Sequence, residues 1–303
     1  IQAATDKYNE TFKLEQTSDV ISALKGYIQA LTMLKNHLGE SNMTSIDGQE
    51  IELGGFLLSK IEKLRSQITI QASEEDIVTK RHEISNIAPT FTVFFENTPL
   101  AGVPLKFRYS GGYLVRDKAV ANNQGVVQVQ ISNSAASTTQ NYLVASLNWE
   151  EIVKIATTDQ AMRRLLEPIS MPEKTIAITT TAPTVGLRMQ PNELVTNAEI
   201  HQRFEEIVNK SALTLEPNAN KADYVVEIDF KVEPGESAGG LTSYYCSGAH
   251  KISDNSGKVI KQATGQKTRG VSENAETAKR QSVNNYINSL FQLQIPSLLN
   301  AVE

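Results

Sequence analysis

Apolar and polar residues alternate most cleanly between positions 224 and 233, where Tyr224, Val226, Ile228, Phe230 and Val232 are apolar and Glu227, Asp229, Lys231 and Glu233 are charged. A period of two belongs to a strand with one buried and one wetted face. Pro234, Gly235, Gly239 and Gly240 interrupt the run as a glycine-rich loop over 233–240, longer than a tight hairpin. Residues 241–252 then resume the extended pattern, with Tyr244, Cys246, Gly248 and Ile252 on one side. The Asp-Asn-Ser-Gly stretch at 254–257 favours a turn, because Asn and Gly tolerate positive φ, so 258–268 is expected to return as a third antiparallel strand. Beyond Gly270 the period lengthens to that of a helix. Ser272 is placed to cap it, Glu273 and Glu276 suit its positive end, and Ala275, Ala278, Val283, Tyr286, Ile287 and Leu290 share a face.

Helical spacing governs the first quarter of the chain. Ala4, Tyr8 and Phe12 share one face of a short lead helix. Val20, Leu24, Tyr27, Leu31, Leu34 and Leu38 then repeat at steps of four and three, between Ser18 and a Gly39 suited to end the helix. Leu53, Leu57, Ile61, Leu64 and Ile68 keep the same rhythm after the polar loop 40–49, which predicts an antiparallel helical hairpin. Residues 73–84 are charged and weakly patterned, and read as a linker or a short exposed helix.

Strands return at Pro89. Phe91, Val93 and Phe95 alternate, then Leu105, Phe107 and Tyr109, then Val127, Val129 and Ile131, with further extended runs at 113–121 and 142–149. Turns at this close spacing predict a small β-sandwich. Residues 152–166 are helical, and Pro168 and Pro172 mark a hinge. Residues 174–189 read as extended, but Pro183 interrupts them, so the two halves are candidates for different sheets. Thr196 with Glu199 forms a capping box, and Val195 with Ile200 a hydrophobic staple, starting a helix along Ile200, Phe204, Ile207, Val208 and Ser211. The whole predicts an α+β multidomain chain. Its parts are an N-terminal helical hairpin in 1–80, a central β-sandwich in 86–157, and a C-terminal α+β domain in 172–303. That last domain has the order strand, helix, three strands, helix, with an antiparallel sheet packed by two helices.

Composition narrows the function more than the fold. A net charge of −5 over 303 residues offers no basic footprint for a nucleic-acid backbone, so nucleic acid is not expected as a partner. Apolar runs of a few residues, such as Phe56-Leu57-Leu58, are far too short to span a bilayer. The chain opens on Ile1 rather than Met, and any membrane attachment is expected only through sequence ahead of it. The single Cys246 permits no internal disulfide.

Reactive constellations are sparse. His37, His82, His201 and His250 stand at no spacing that converges on a metal, and no metal or cofactor is expected. There is no nucleophile elbow, phosphate loop or dinucleotide fingerprint. Glu227 and Asp229 share a strand face at about 7 Å, the separation of paired carboxylates in glycoside chemistry, so they are the first suspects for a glycan- or peptide-active hydrolase. The plainer reading is a wet sheet face, balanced by Lys231 and by cations on neighbouring strands. Cys246 falls on the dry side, as a small core residue. Tyr244 and Tyr245 are the candidate partner surface; Trp149 is expected to pack at a domain margin, with an exposed recognition role beside the two tyrosines as the alternative.

Two stretches resemble known modules. Pro-Leu-Ala-Gly-Val-Pro-Leu-Lys-Phe at 99–107, followed by the turn and strand at 122–131, resembles bacterial immunoglobulin-like and prealbumin-like modules of cell-surface proteins, which implies a spacer or adhesion module. Ala222-Asp223 leading into Tyr224-Val225-Val226, then a hairpin and an Ala-bearing helix, resembles the small α+β domain of several bacterial envelope proteins. These are the curli-secretion lipoprotein, the penicillin-binding-protein activator lipoproteins, the amino-terminal domain of the Tol translocation protein and flagellar assembly relatives. The resemblances imply a non-enzymatic scaffold or partner-binding protein of the periplasm or outer membrane, with an envelope protein as its partner.

Overall fold

A computed structural model of the chain describes residues 1–38, 43–46, 48–134, 140–167, 170–190 and 193–302. The expected helix end at Gly39, part of the polar loop 40–49, and Pro168 of the expected hinge lie outside the described residues. The fold is α+β, with helices first, a strand-rich middle and a final sheet packed by helices. Two compact units result: Ile1–Thr79 with Glu83–Thr180, and Lys80–His82 with Thr181–Glu303.

In the first unit three helices, not two, pack together: Gln2–Gln16, Val20–Met33 and Leu53–Ser66. The lead segment runs a full fifteen residues because Ala4 and Tyr8 bury against the second helix, where the Tyr8 and Tyr27 rings stack at 5.9 Å. Asp19 caps the second helix by accepting from Ser22 N–H, and Ser18 takes positive φ ahead of it. Part of the expected polar loop forms a hairpin, Met43–Ile46 with Gln49–Glu52. Ile68, read as the last residue of a helical seam, instead starts the strand Ile68–Ala72, which pairs with Thr90–Phe95.

The strands of this unit form two main sheets. One carries Ile68–Ala72, Thr90–Phe95 and Val126–Gln128, and the other five strands, ordered Asp76–Lys80, Glu173–Thr181, Gln140–Leu147, Pro104–Tyr109 and Lys118–Val120. Phe91 of the first and Phe107 of the second meet at 5.8 Å between ring centroids, and inward Val93, Leu105, Leu143, Ala145, Ile176 and Ile178 fill one core that also takes in the helices. Two expectations change here. Residues 76–80 are a strand rather than linker, and 173–181 join this sheet rather than the C-terminal domain. The interruption at Pro183 is where the chain leaves one sheet for the next, since Pro has no N–H to give a ladder.

The second unit is built on a long hairpin, Tyr224–Ala238 with Leu241–Asp254. The loop read as long is a two-residue turn, Gly239-Gly240, with φ of 62° and 80°, and the remainder of 233–238 stays extended around a bulge. Thr184–Met189 lies parallel to Tyr224–Ala238, which corrects the antiparallel sheet to a mixed one. The cause is the helix Asn197–Val208 between them: a strand that returns through a crossover helix arrives parallel. The third strand divides into Val259–Thr264 and Thr268–Ser272, both paired with Leu241–Asp254. Gly265 marks the break, where a Cβ would stand 2.1 Å from Tyr286 Oη.

Thr196 caps its helix as expected, accepting from Glu199 N–H. The last long helix, Ala275–Ser289, is capped by Asn274 and not by Ser272. Ser272 ends a strand, and its hydroxyl accepts from Asn274 N–H. A turn of π-helix, Leu290–Gln294, leads into Ile295–Leu299. Val226, Ile228, Cys246 and Ile252 from the sheet meet Phe204, Val283, Tyr286, Ile287 and Leu298 from the helices in a second core.

Candidate functional site

The wet face of the hairpin holds the suspected carboxylates, and register decides their role. Arg188, Glu227 and Lys251 stand in one row across three strands. Arg188 Nη1 lies 3.1 Å from Glu227 Oε1, and Lys251 Nζ 3.0 Å from Oε2. Both carboxylate oxygens are therefore committed. Asp229 is exposed in the next row, opposite Ala249. Lys231, expected to balance Glu227, pairs instead with Glu233 at 2.6 Å. The two cross-strand pairs of Glu227, partly exposed, contribute about 0.2–1 kcal/mol each. They make a balanced surface and place no acid beside a base.

Asp223, of the Ala-Asp pair ahead of the strand, is 6% exposed and clasps the neighbouring strand. Its Oδ2 accepts from Thr184 N–H at 2.8 Å and from Thr184 Oγ1 at 2.9 Å, and its own N–H donates to Thr184 Oγ1 at 3.0 Å. Lys80 closes the group as an ion pair on Oδ1. Burial alone would raise this carboxyl, but the hydrogen bonds from Lys80 and Thr184 more than offset it and hold Asp223 below its ordinary value. The dipeptide therefore starts the parallel pairing of Thr184–Met189 with the long strand.

His250 is the buried titratable group that pattern reading passed over. It is 1% exposed, and its Nε2 lies 2.6 Å from Tyr286 Oη. Its Nδ1 is buried with no hydrogen-bond partner. Burial pushes its pKa down to about 4, against a weaker upward pull from Asp229. Burial likewise raises the Tyr286 hydroxyl and pushes the Cys246 thiol up to about 12, which suits core residues rather than nucleophiles. The alternation that buries Cys246 and Ile252 also covers His250, so the signal was present four residues after the one and two before the other.

The expected partner surface separates. Tyr244 and Tyr245 are half-buried on opposite faces of the hairpin's far end, each with cations against its ring: Lys267 Nζ at 4.3 Å and Arg269 at 5.8 Å for Tyr245, and Lys279 Nζ at 5.3 Å for Tyr244. Leu241 and Val271 are exposed apolar residues of the same end. Trp149 leaves the set. It is 5% exposed, starts the helix Trp149–Ala156, and its Nε1 donates to the Leu166 carbonyl at 2.8 Å. An indole whose ring fills the core and whose N–H is spent internally cannot meet a partner face-on.

Among the described residues no group of three or more His, Cys, Asp or Glu is disposed to hold a metal, and no helix is long and apolar enough to cross a membrane.

No protein-family model matches the chain, and no curated protein matches it. Solved structures overlap it in part. A minor lipoprotein from Acinetobacter baumannii is similar over 40% of this chain and 94% of its own, at 18% identity and a TM-score of 0.29. An uncharacterized lipoprotein B from Nitrosomonas europaea covers 38% of this chain and 81% of its own, at 11% identity and a TM-score of 0.25. The D0-D1 domain of intimin covers 66% of this chain and 80% of its own, at 10% identity and a TM-score of 0.23. At scores this low the overlaps assign no role.

Proposed function

We propose that the protein is a non-catalytic, partner-binding module of the bacterial cell envelope, and that the far end of the long hairpin is its contact surface. The observation that carries this reading is the hairpin itself. Thr184–Met189 pairs with Tyr224–Ile228, while Tyr244, Tyr245, Leu241 and Val271 sit beyond that pairing as aromatic and apolar side chains ringed by Lys267, Arg269 and Lys279. Tyrosine and arginine are residue types enriched in protein interfaces, and Tyr244, Tyr245 and Arg269 gather here with exposed Leu241 and Val271. The assignment to the envelope rests on the resemblances at 99–131 and at Ala222-Asp223. The occupied oxygens of Glu227 and the sealed positions of Cys246 and His250 leave the hydrolase reading without a poised group.

The test is a photo-crosslinking amino acid placed at Tyr245, with His201 on an exposed helix face as the control, in cells producing the full chain. A discrete adduct at Tyr245, in the envelope fraction and absent at His201, supports the proposal. Fractionation with the cytosol, or cleavage of cell-wall fragments that disappears when Glu227→Gln and Asp229→Asn are combined, refutes it.

A further inference from the structure

We propose that a groove on the first unit binds an acidic peptide segment that also carries an apolar side chain. The groove has a volume of about 590 Å³, within the range of ordinary ligand pockets. Its apolar lining comes from Leu147, Trp149, Val153 and Met171. Around these stand four cations, Lys106, Lys154, Arg163 and Arg164, in a chain whose net charge is −5.

These cations are not used up by the fold. Arg163 spends only Nε, on the Thr157 carbonyl at 3.0 Å. Lys106, Lys154 and Arg164 are exposed, and the charged group of none of them makes an ion pair or hydrogen bond among the described residues. Half-buried cations elsewhere in this unit are paired, as Lys60 is with Glu15 at 3.1 Å and Lys174 with Glu75 at 3.3 Å. An excess of unpaired positive charge over an apolar floor favours an anionic ligand with some apolar surface.

Two carboxylates in the same lining select the class of ligand. Glu150 and Glu167 are also exposed and unpaired among the described residues. An ionised fatty acid offers them no hydrogen-bond donor, inorganic phosphate offers no apolar surface to the floor, and both add repulsion. A peptide offers all three chemistries: acidic side chains for the cations, backbone N–H groups for the two carboxylates, and an apolar side chain for the floor. This site is separate from the Tyr244 and Tyr245 surface, so the two stand or fall independently.

Trp149 is the only tryptophan of the chain, and although its ring is buried it borders the groove, so charge brought in beside it should shift its emission. The full chain is titrated with a blocked Glu-Asp-Leu-Glu-Asp peptide and with its Gln-Asn-Leu-Gln-Asn counterpart, with heats of binding measured in parallel. The acidic peptide is expected to bind about tenfold more tightly or better, and to weaken severalfold between about 0.05 M and about 0.5 M salt. Combining Lys154→Gln with Arg164→Gln should remove about tenfold of that affinity while leaving thermal unfolding unchanged, since both side chains are exposed. Tyr245→Ala should leave it intact. Equal affinity for the two peptides, no binding of either, or binding that ignores the Lys154 and Arg164 substitutions overturns the proposal. So does capture of laurate or of phosphatidylglycerol vesicles through these residues without capture of the peptide.

Discussion

Mild acid should loosen the second unit before the first, through His250. In the unfolded chain this imidazole takes its proton near 6.5, and in the fold only near 4. The depressed value means that the folded state refuses a proton which the unfolded state accepts. The stabilising contribution is therefore complete above 6.5 and is lost progressively as pH falls toward 4. Because His250 is 1% exposed, solvent screening takes little from this. Linkage across those two values gives a loss of about 2 kcal/mol at pH 5 and about 3 kcal/mol at pH 4, relative to pH 7. The structural cause is local. A second proton would leave both ring nitrogens carrying N–H, with no acceptor at Nδ1, inside a layer made by Cys246, Ile252 and Tyr286, and with only a weaker upward pull from Asp229. Trp149 lies in the first unit and is blind to this event, so the assay is amide hydrogen exchange. The slowest amides of Leu241–Asp254 and Ala275–Ser289 report the opening free energy of the second unit. The native chain should lose the stated amount between pH 7 and pH 5, and His250→Gln should be nearly flat over that range, whatever its stability at neutral pH. An equal pH dependence in both proteins, or a flat native profile, would falsify the reasoning.

Four further outcomes follow from the same geometry. Asp223→Ala should cost about 2–3 kcal/mol in urea unfolding of the second unit, because it leaves Thr184 N–H without its acceptor and Lys80 without its carboxylate. In the native chain the Asp223 contribution should disappear only below its ordinary value of 3.8, a window distinct from that of His250. Gly265→Ala should destabilise by about 1–3 kcal/mol, since the new methyl meets Tyr286 Oη, and pairing it with Tyr286→Phe should recover part of the loss. Glu227→Gln should change stability by about 1 kcal/mol or less, because its two ion pairs are partly exposed; a much larger loss would contradict the surface role assigned to that row.

Legibility followed the range of the interaction. The alternation at Tyr224, Val226 and Ile228 predicted a dry sheet face, and those three side chains are buried. The Thr196 cap, without the return bond from Glu199, and the turn at 254–257 also formed as read, where Asp254 Oδ1 accepts from Ser256 and Lys258 N–H. Each rests on groups within four positions of one another. Residues 76–80 and 43–46 were missed because short strands with charged or polar residues carry too little period to separate them from loop. Trp149 was read both as packing and as a partner contact because a single aromatic at the end of a strand has no period to assign its side, and burial decides for packing.

By itself the sequence determined the kinds of element, the faces they bury and the absence of a recognisable catalytic motif, because propensity and periodicity are written within a few residues. Only the tertiary structure decided that 173–181 pairs with Gln140–Leu147, that Thr184–Met189 runs parallel to its neighbour, and that Tyr286 reaches His250 across 36 positions. Several partners of equal hydrophobicity compete for each strand edge and each core position. The selection among them comes from the total area buried and the polar groups satisfied, which no local window contains.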